Sequence, residues 1–405
     1  MSTVRAFRCS VGAAASGDSI IGCYNMPELL RETYMSDYPS RSPGPSPEST
    51  PTGKIIADAV AHAHVPGVVA AVGRGPATLA TWVAGQADTT PGRSRAMTAD
   101  TVFDLASLTK VVATTTATLA LAGQRRLGLG DPVTRYLPTF AWPAGQGGPV
   151  TLWHLLTHTA GLPDTRKFYE WCGTREELLR DLAATPLSAP PGTQVTYSDL
   201  GFIALGEIVA QVAGQPLGQA VRRLVTEPLG MTGTGYNLAG PPDRFAATER
   251  RADGTCWTGI VHDENARLMG GIAGHAGLFS TVADLARFAG WWVSAADGTA
   301  PGNPVPARLR RAAESGQTAG LGGRRGLGWV CAGDRFDILG GHWPASAVSH
   351  NGFTGTSLAL DSPSGAWVVL LTNAVHFGRD HTAIKALRRA VHGAVAADLF
   401  GDVPA

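Results

Sequence analysis

Ser107 and Lys110 lie three residues apart in the segment Leu105-Ala106-Ser107-Leu108-Thr109-Lys110-Val111-Val112. The chain has 33 lysines and arginines, and only four of them are lysines: Lys54, Lys110, Lys167 and Lys385. An ammonium in so apolar a setting is costly unless it is paired or loses its charge. On a helix, positions i and i+3 share a face, so hydroxyl and amine can touch. A serine becomes a nucleophile when a neighbouring base takes its proton, and a desolvated lysine can be that base. In the first turn of a helix, Ser107 would also face free N–H groups that favour negative charge. Chance gives about 0.2 such pairs in a chain of this composition, and a lysine snorkelling at a helix edge is the bland alternative.

The rest of the composition narrows the function classes. The chain has 405 residues, 33 basic against 32 acidic, for a formal charge of +1. That balance excludes the basic face nucleic acids require and gives no polybasic membrane patch. Hydrophobic residues make up 44% of the chain, enough for a large core, yet no apolar run reaches the ~18 residues of a membrane helix. Cys9, Cys23, Cys172, Cys256 and Cys331 form no Cys-x-x-Cys pair. They read as free thiols in a reduced protein, with no structural zinc. With no apolar leader at the N-terminus, the reading is cytoplasmic.

The elements that must position the pair follow from pattern. Five prolines between Pro39 and Pro51, among Ser, Thr and Gly, predict a mobile extension over 1–53. The catalytic domain is then 54–400. Ile55 to His62 reads as helix, and Gly67 to Val72 and Leu79 to Ala84 as strands. The middle, about 106–325, reads as mainly helical. Thr151 caps a helix through His158, Leu200 to Ala213 stops at Gly214, and Thr281 caps the run after it. Strands return at Gly326 to Val330, Thr356 to Asp361 and Ala366 to Thr372, before a helix marked by Ile384, Leu387, Val391 and Val395. The expected fold is α/β in the α+β sense. One central antiparallel sheet is built from about 54–105 and 326–400, flanked by helices, with the helical region inserted.

Two further motifs follow Ser107 in order. One is Tyr197-Ser198-Asp199 and the other His350-Asn351-Gly352. With Ser107-Leu108-Thr109-Lys110 they resemble the Ser-x-x-Lys, Tyr-x-Asn and Lys-Thr-Gly motifs of the serine β-lactamase and penicillin-binding-protein superfamily, in its class C, esterase and transacylase branch. The flanks Leu155 to Pro163 and Gly274 to Thr281 are similar to that branch, and the likeness spans about 54–400. It implies an acyl-enzyme mechanism. Ser107 attacks a carbonyl, Lys110 accepts or relays its proton, and Tyr197 is general base and then general acid. The backbone N–H groups of Ser107 and Phe353 form the oxyanion hole, and Gly352 admits the backbone close to the substrate. His350 takes the place of the lysine of the third motif, as a donor to the substrate, and Asp199 joins it in substrate binding.

Asp199 departs from the asparagine of the second motif. A carboxylate cannot donate to a substrate carbonyl. Facing Lys110, it would favour the charged amine and move the base role to Tyr197; otherwise it only caps the helix from Leu200. Other groups are weaker. His154 and His158 lack the intervening glutamate of zinc proteases, His262-Asp263-Glu264 reads as a loop, and Arg308, Arg310, Arg311, Arg388 and Arg389 read as solvated helix faces. No metal or cofactor is expected. The expected function is a serine acyl-transfer enzyme, most simply a hydrolase of a small-molecule ester or amide. The alternatives are a transacylase with an amine or alcohol acceptor in antibiotic-type biosynthesis, a D-alanyl peptidase, or a non-catalytic binding relative.

Overall fold

The computed structural model describes residues 49–142, 148–294 and 303–401. Most of the expected extension, with Cys9 and Cys23, lies outside those residues. The first helix is Pro51–Ala61 and begins four residues ahead of the expected start at Ile55. The Thr50 hydroxyl accepts the Gly53 N–H at 3.0 Å, and Pro51 at the first helical position has its φ preset for the turn.

The described strands are β1 (Gly67–Arg74), β2 (Ala77–Asp88), β3 (Arg95–Ala96), β4 (Phe103–Asp104), β5 (Gly235–Tyr236), β6 (Leu278–Ser280), β7 (Val330–Cys331), β8 (Val348–Asn351), β9 (Ser357–Asp361) and β10 (Ala366–Thr372). The main sheet has seven strands in the order β3-β2-β1-β10-β9-β8-β7, all antiparallel. The two ends of the described chain therefore meet at its centre, where Val68 pairs with Thr372 and Arg74 with Ala366. This is the expected sheet. β1 is apolar up to its last residue, Arg74, in keeping with burial on both of its faces. Val68, Ala70 and Val72 pack with the helices Pro51–Ala61 and Thr382–Phe400, through Ile56, Ile384, Leu387 and Val391. Val69 and Ala71 face the opposite core, which holds Leu285, Phe288 and Trp292 of the helix Val282–Val293.

Helix boundaries in the middle follow the caps. Thr151 and Thr281 each accept an N–H from three residues on, and Gly214 ends the helix Asp199–Ala213 at φ 70°. Three expectations change. The helix capped by Thr151 ends at Leu156, short of the expected His158, which has left-handed φ 58°. The stretch Gly326 to Val330 is mostly loop, with only Val330–Cys331 as strand. A second sheet, β4-β6-β5, has β5 and β6 within the mainly helical region and β4 just ahead of it. Its strands are two or three residues long, too short to show a period in sequence.

One crossing fixes the elements around Ser107. The helix Asp199–Ala213 meets the loop before β6 at Gly206 and Gly274, where a Cβ on Gly274 would lie 2.0 Å from the Phe202 carbonyl oxygen. That approach lets the Gly274 carbonyl accept the Thr114 hydroxyl at 2.6 Å. Gly274→Ala should overpack this crossing and cost about 1–3 kcal/mol or more. Urea unfolding checks this, and an unchanged midpoint would show that the contact has slack.

Candidate active site

Ser107 stands in a tight turn between β4 and a helix. Ala106, just before it, has φ 45°, a left-handed conformation that an alanine adopts only under constraint. Asp104 supplies the constraint: its carboxylate accepts the Ala106 N–H at 2.8 Å and the His262 N–H at 2.6 Å. After Ser107 the chain passes through a π-helical turn, Lys110–Thr115, into the helix Thr116–Gly123. The Thr116 hydroxyl bonds back to the Val111 carbonyl at 2.7 Å, a local competition that suits such a widened turn.

Lys110 has no exposed surface, whereas Lys54, Lys167 and Lys385 are exposed. Its Nζ lies 2.9 Å from Ser107 Oγ, 3.1 Å from the His275 carbonyl oxygen and 2.7 Å from Asp199 Oδ1. The first two contacts are hydrogen bonds and the third is an ion pair, so the buried ammonium is compensated by polar oxygens and one carboxylate. Burial opposes the charge, but the Asp199 carboxylate and Tyr197 outweigh it and hold the amine above its ordinary range. Asp199 therefore faces Lys110. It is the first residue of its helix rather than the cap, a position Ser198 takes.

Tyr197 stands beside this pair, its ring centre 5.1 Å from Lys110 Nζ. It is held from behind by His158, whose ring centre is 4.6 Å away. The His158 carbonyl accepts the Thr196 N–H at 2.9 Å and its Nδ1 accepts the Ser198 N–H at 3.0 Å. His158 thus pins both neighbours of Tyr197, and it adopts φ 58° to do so. Arg325 flanks Tyr197 and Phe336, its guanidinium carbon 5.8 and 5.2 Å from the two ring centres, and pairs with Asp334 at 3.3 Å.

β8 and the turn after it complete the site. Gly352 packs so tightly that a Cβ there would lie 2.2 Å from the Leu105 carbonyl oxygen and 2.3 Å from Thr356 Oγ1. Close approach to the serine turn is thus what requires a glycine here. Among the described residues, neither the Ser107 nor the Phe353 N–H donates to a protein acceptor. Ser107, Tyr197, Asp199, His350 and Phe353 line one cavity of about 490 Å³.

Two expected roles are corrected. His350 Nδ1 lies 2.9 Å from the Asn351 carbonyl oxygen, which can only accept, so Nδ1 carries the proton. Burial, then the Lys110 and Arg325 charges, push its protonation well below the usual histidine range. Its Nε2 is therefore an acceptor, not the expected donor. Arg310 and Arg388 are buried rather than solvated, while Arg308, Arg311 and Arg389 are exposed. Arg388 donates through Nη2 to the carbonyls of Gly352 at 2.6 Å and Thr356 at 2.9 Å, and burial lowers its pKa to about 9.

The weaker groups find protein partners. His262 bonds Glu249, Asp263 bonds His275, and Glu264 bonds Arg379. His154 packs on the Thr151 cap, away from His158. Asp88, Cys256 and His376 come within reach of one ion outside the cavity lining. There His376 Nε2 already accepts the Thr89 N–H and Asp88 the Thr90 N–H, so the set is a poor fit for a metal. Sequence reasoning missed Asp104, His158 and Arg325 as parts of the site. Only the closeness of Asp104 to Ser107 offered a signal.

The chain and its fold have known counterparts. A family model described as Beta-lactamase matches residues 53–392. The chain belongs to the β-lactamase family. Esterase EstB of Burkholderia gladioli is 33% identical over 384 residues, 84% of this chain and 93% of the relative. An N-acetylmuramyl-L-alanine amidase of Bacillus subtilis (strain 168) is 31% identical over 318 residues, 70% of each. Among solved structures, EstCE1, described as a hydrolase with promiscuous acyltransferase activity, superposes with a TM-score of 0.68 at 25% identity. That match covers 85% of this chain and 98% of EstCE1. The chain is thus a serine hydrolase or acyltransferase of this family. No single helix among the described residues is long and apolar enough to cross a membrane.

Three histidines at or near the site are buried uncharged: His158, His350 and His392, the last lowered to about 3, all chiefly by burial. As pH falls through about 6.5, the unfolded chain takes up protons that the folded chain refuses. Stability should therefore be fully present above that pH and fall below it, by up to about 1.4 kcal/mol per pH unit for each histidine. Urea midpoints between pH 7 and 5 measure this, and a flat profile would contradict neutral burial.

Proposed function

We propose that this member of the β-lactamase family hydrolyses an ester or amide of a small molecule through an acyl-enzyme on Ser107. The observation that carries the reading is the 2.9 Å contact of Ser107 Oγ with the caged Lys110, on a cavity that also holds Tyr197. Ser107 Oγ bonds to the substrate carbonyl carbon, and the bond to the leaving group breaks. The serine proton passes through Tyr197 to the leaving group, because an ammonium kept charged by its pairing with Asp199 has no lone pair to take it. The Ser107 and Phe353 N–H groups receive the developing oxyanion. Water then releases the acyl group by the reverse path. His350 Nε2 accepts from a substrate N–H or O–H.

Asp199 bears on the substrate. Its carboxylate is committed to Lys110 and offers no donor to an acyl amide, so β-lactam antibiotics should be poor substrates. A transacylase is the second reading. It is favoured by the likeness to EstCE1, whose description includes acyltransferase activity. An amine or alcohol acceptor would then replace water in the second step.

A serine-directed phosphonate should label the native protein and leave Ser107→Ala unlabelled; equal labelling would remove Ser107 from the mechanism. Tyr197→Phe should lower kcat about 10²–10⁴-fold with the fold intact, as loss of a general base does. Mass spectrometry of the products of an activated ester, with and without an added amine, separates the two readings. An amide product supports transfer, and products unchanged by the amine reject it.

A further inference from the structure

Arg388 is a buried cation that the acyl-transfer steps above do not use. It sits on the helix Thr382–Phe400, and its residue surface is 3% exposed. Among the described residues it has no carboxylate partner within ion-pair distance, and its Nη2 is spent on two carbonyl oxygens, those of Gly352 and Thr356. Burying an unpaired charge is unfavourable, so a residue that does so calls for a compensating role.

The geometry of the peptide supplies that role. The Gly352 carbonyl and the Phe353 N–H belong to one planar unit, and in a trans peptide they point in opposite directions. Drawing the Gly352 oxygen inward to Arg388 turns the Phe353 N–H outward. The turn is closed on its inner side as well, since the Gly352 N–H donates to the Thr356 carbonyl at 2.8 Å and the Gly355 N–H to the Gly352 carbonyl at 3.1 Å. The Phe353 N–H donates to no described protein group, and Phe353 lines the cavity beside Ser107. A charge-assisted bond on a carbonyl also draws electron density from the peptide nitrogen and strengthens its N–H as a donor.

We propose that Arg388 is the positioning residue of the oxyanion hole: it aims and polarises the Gly352–Phe353 peptide, so that the Phe353 N–H binds a tetrahedral anion more strongly than a flat carbonyl. The proposal rests on the reading of Ser107 and Phe353 given above. Arg388 itself reaches the edge of the same cavity, and its assigned role is its hold on the Gly352–Phe353 peptide rather than a contact with the substrate.

The test compares anion binding with turnover. Phenylboronic acid forms a tetrahedral anion on a nucleophilic serine, and p-nitrophenyl acetate reports turnover. All rates are normalised to active sites titrated with a phosphonate. Arg388→Met has a similar shape and no charge. It should lose about 10–100-fold in phenylboronate affinity and, in parallel, in kcat, with KM little changed. Arg388→Lys, which keeps the charge but cannot fork between two carbonyls, should lose less in both. A folded Arg388→Met that binds phenylboronate as the native protein does would overturn the proposal. So would a loss confined to the fraction of folded molecules. If Arg388→Met does not fold, the Lys variant decides: native boronate affinity overturns the proposal, and a parallel loss supports it. Undiminished boronate binding by Ser107→Ala would instead reject the serine reading itself, whatever Arg388 does.

Discussion

An ammonium with no exposed surface needs compensating oxygens around it, and the architecture around Lys110 follows from that requirement. The three oxygens come from distant parts of the chain: Ser107 from the same turn, Asp199 from the start of a helix, and the His275 carbonyl from the loop before β6. Each must be delivered to within about 3 Å, so three elements are fixed relative to one another by one charge. The crossing of Gly206 and Gly274 exists at the closest backbone approach for this reason, since a side chain at either glycine would hold the loop off.

The same cage decides how the proton moves. With Asp199 at 2.7 Å the amine stays charged, and Lys110 serves the site as a fixed positive charge and a donor to the serine. In the proposed mechanism the base is therefore Tyr197. The backbone around Tyr197 is correspondingly held, with His158 bonded on both sides of it and packed against its ring. Cations also shape the opposite wall. Burial, and then the charges of Lys110, Arg325 and Arg388, disfavour a proton on His350, which leaves its Nε2 unprotonated. On the proposed reading, substrates that present a donor there fit the site.

Precise placement in this site is built from backbone as much as from side chains. The left-handed Ala106 is held by Asp104, the serine turn packs on Gly352, and the Gly352 carbonyl is held in turn by Arg388. Strain at Ala106 and the buried charge of Arg388 are both unfavourable locally. The core on both faces of the seven-stranded sheet offsets them, with β1 and β10 almost without exposed surface.

Local pattern was enough to read the sheet strands at both ends and the capped helices, and to single out Ser107 and Lys110, because alternation, caps and spacing are properties of neighbouring residues; Tyr197 and Gly352 were pointed to by the family resemblance. The rarity of lysine pointed to Lys110, and burial separates it from the three exposed lysines. The short second sheet, the burial of Arg310 and Arg388, and the acceptor state of His350 were not legible. Each is set by contacts between residues far apart in sequence, as the Arg388 bond to Gly352 is across 36 positions. Asp199 shows the division most clearly. Its identity announced a departure from the family motif, but whether it capped a helix or faced a lysine was a question of distance. Only the packing of the helix Asp199–Ala213 against the Ser107 turn could answer it, because electrostatic coupling depends on separation and burial, and neither is written in the order of the residues.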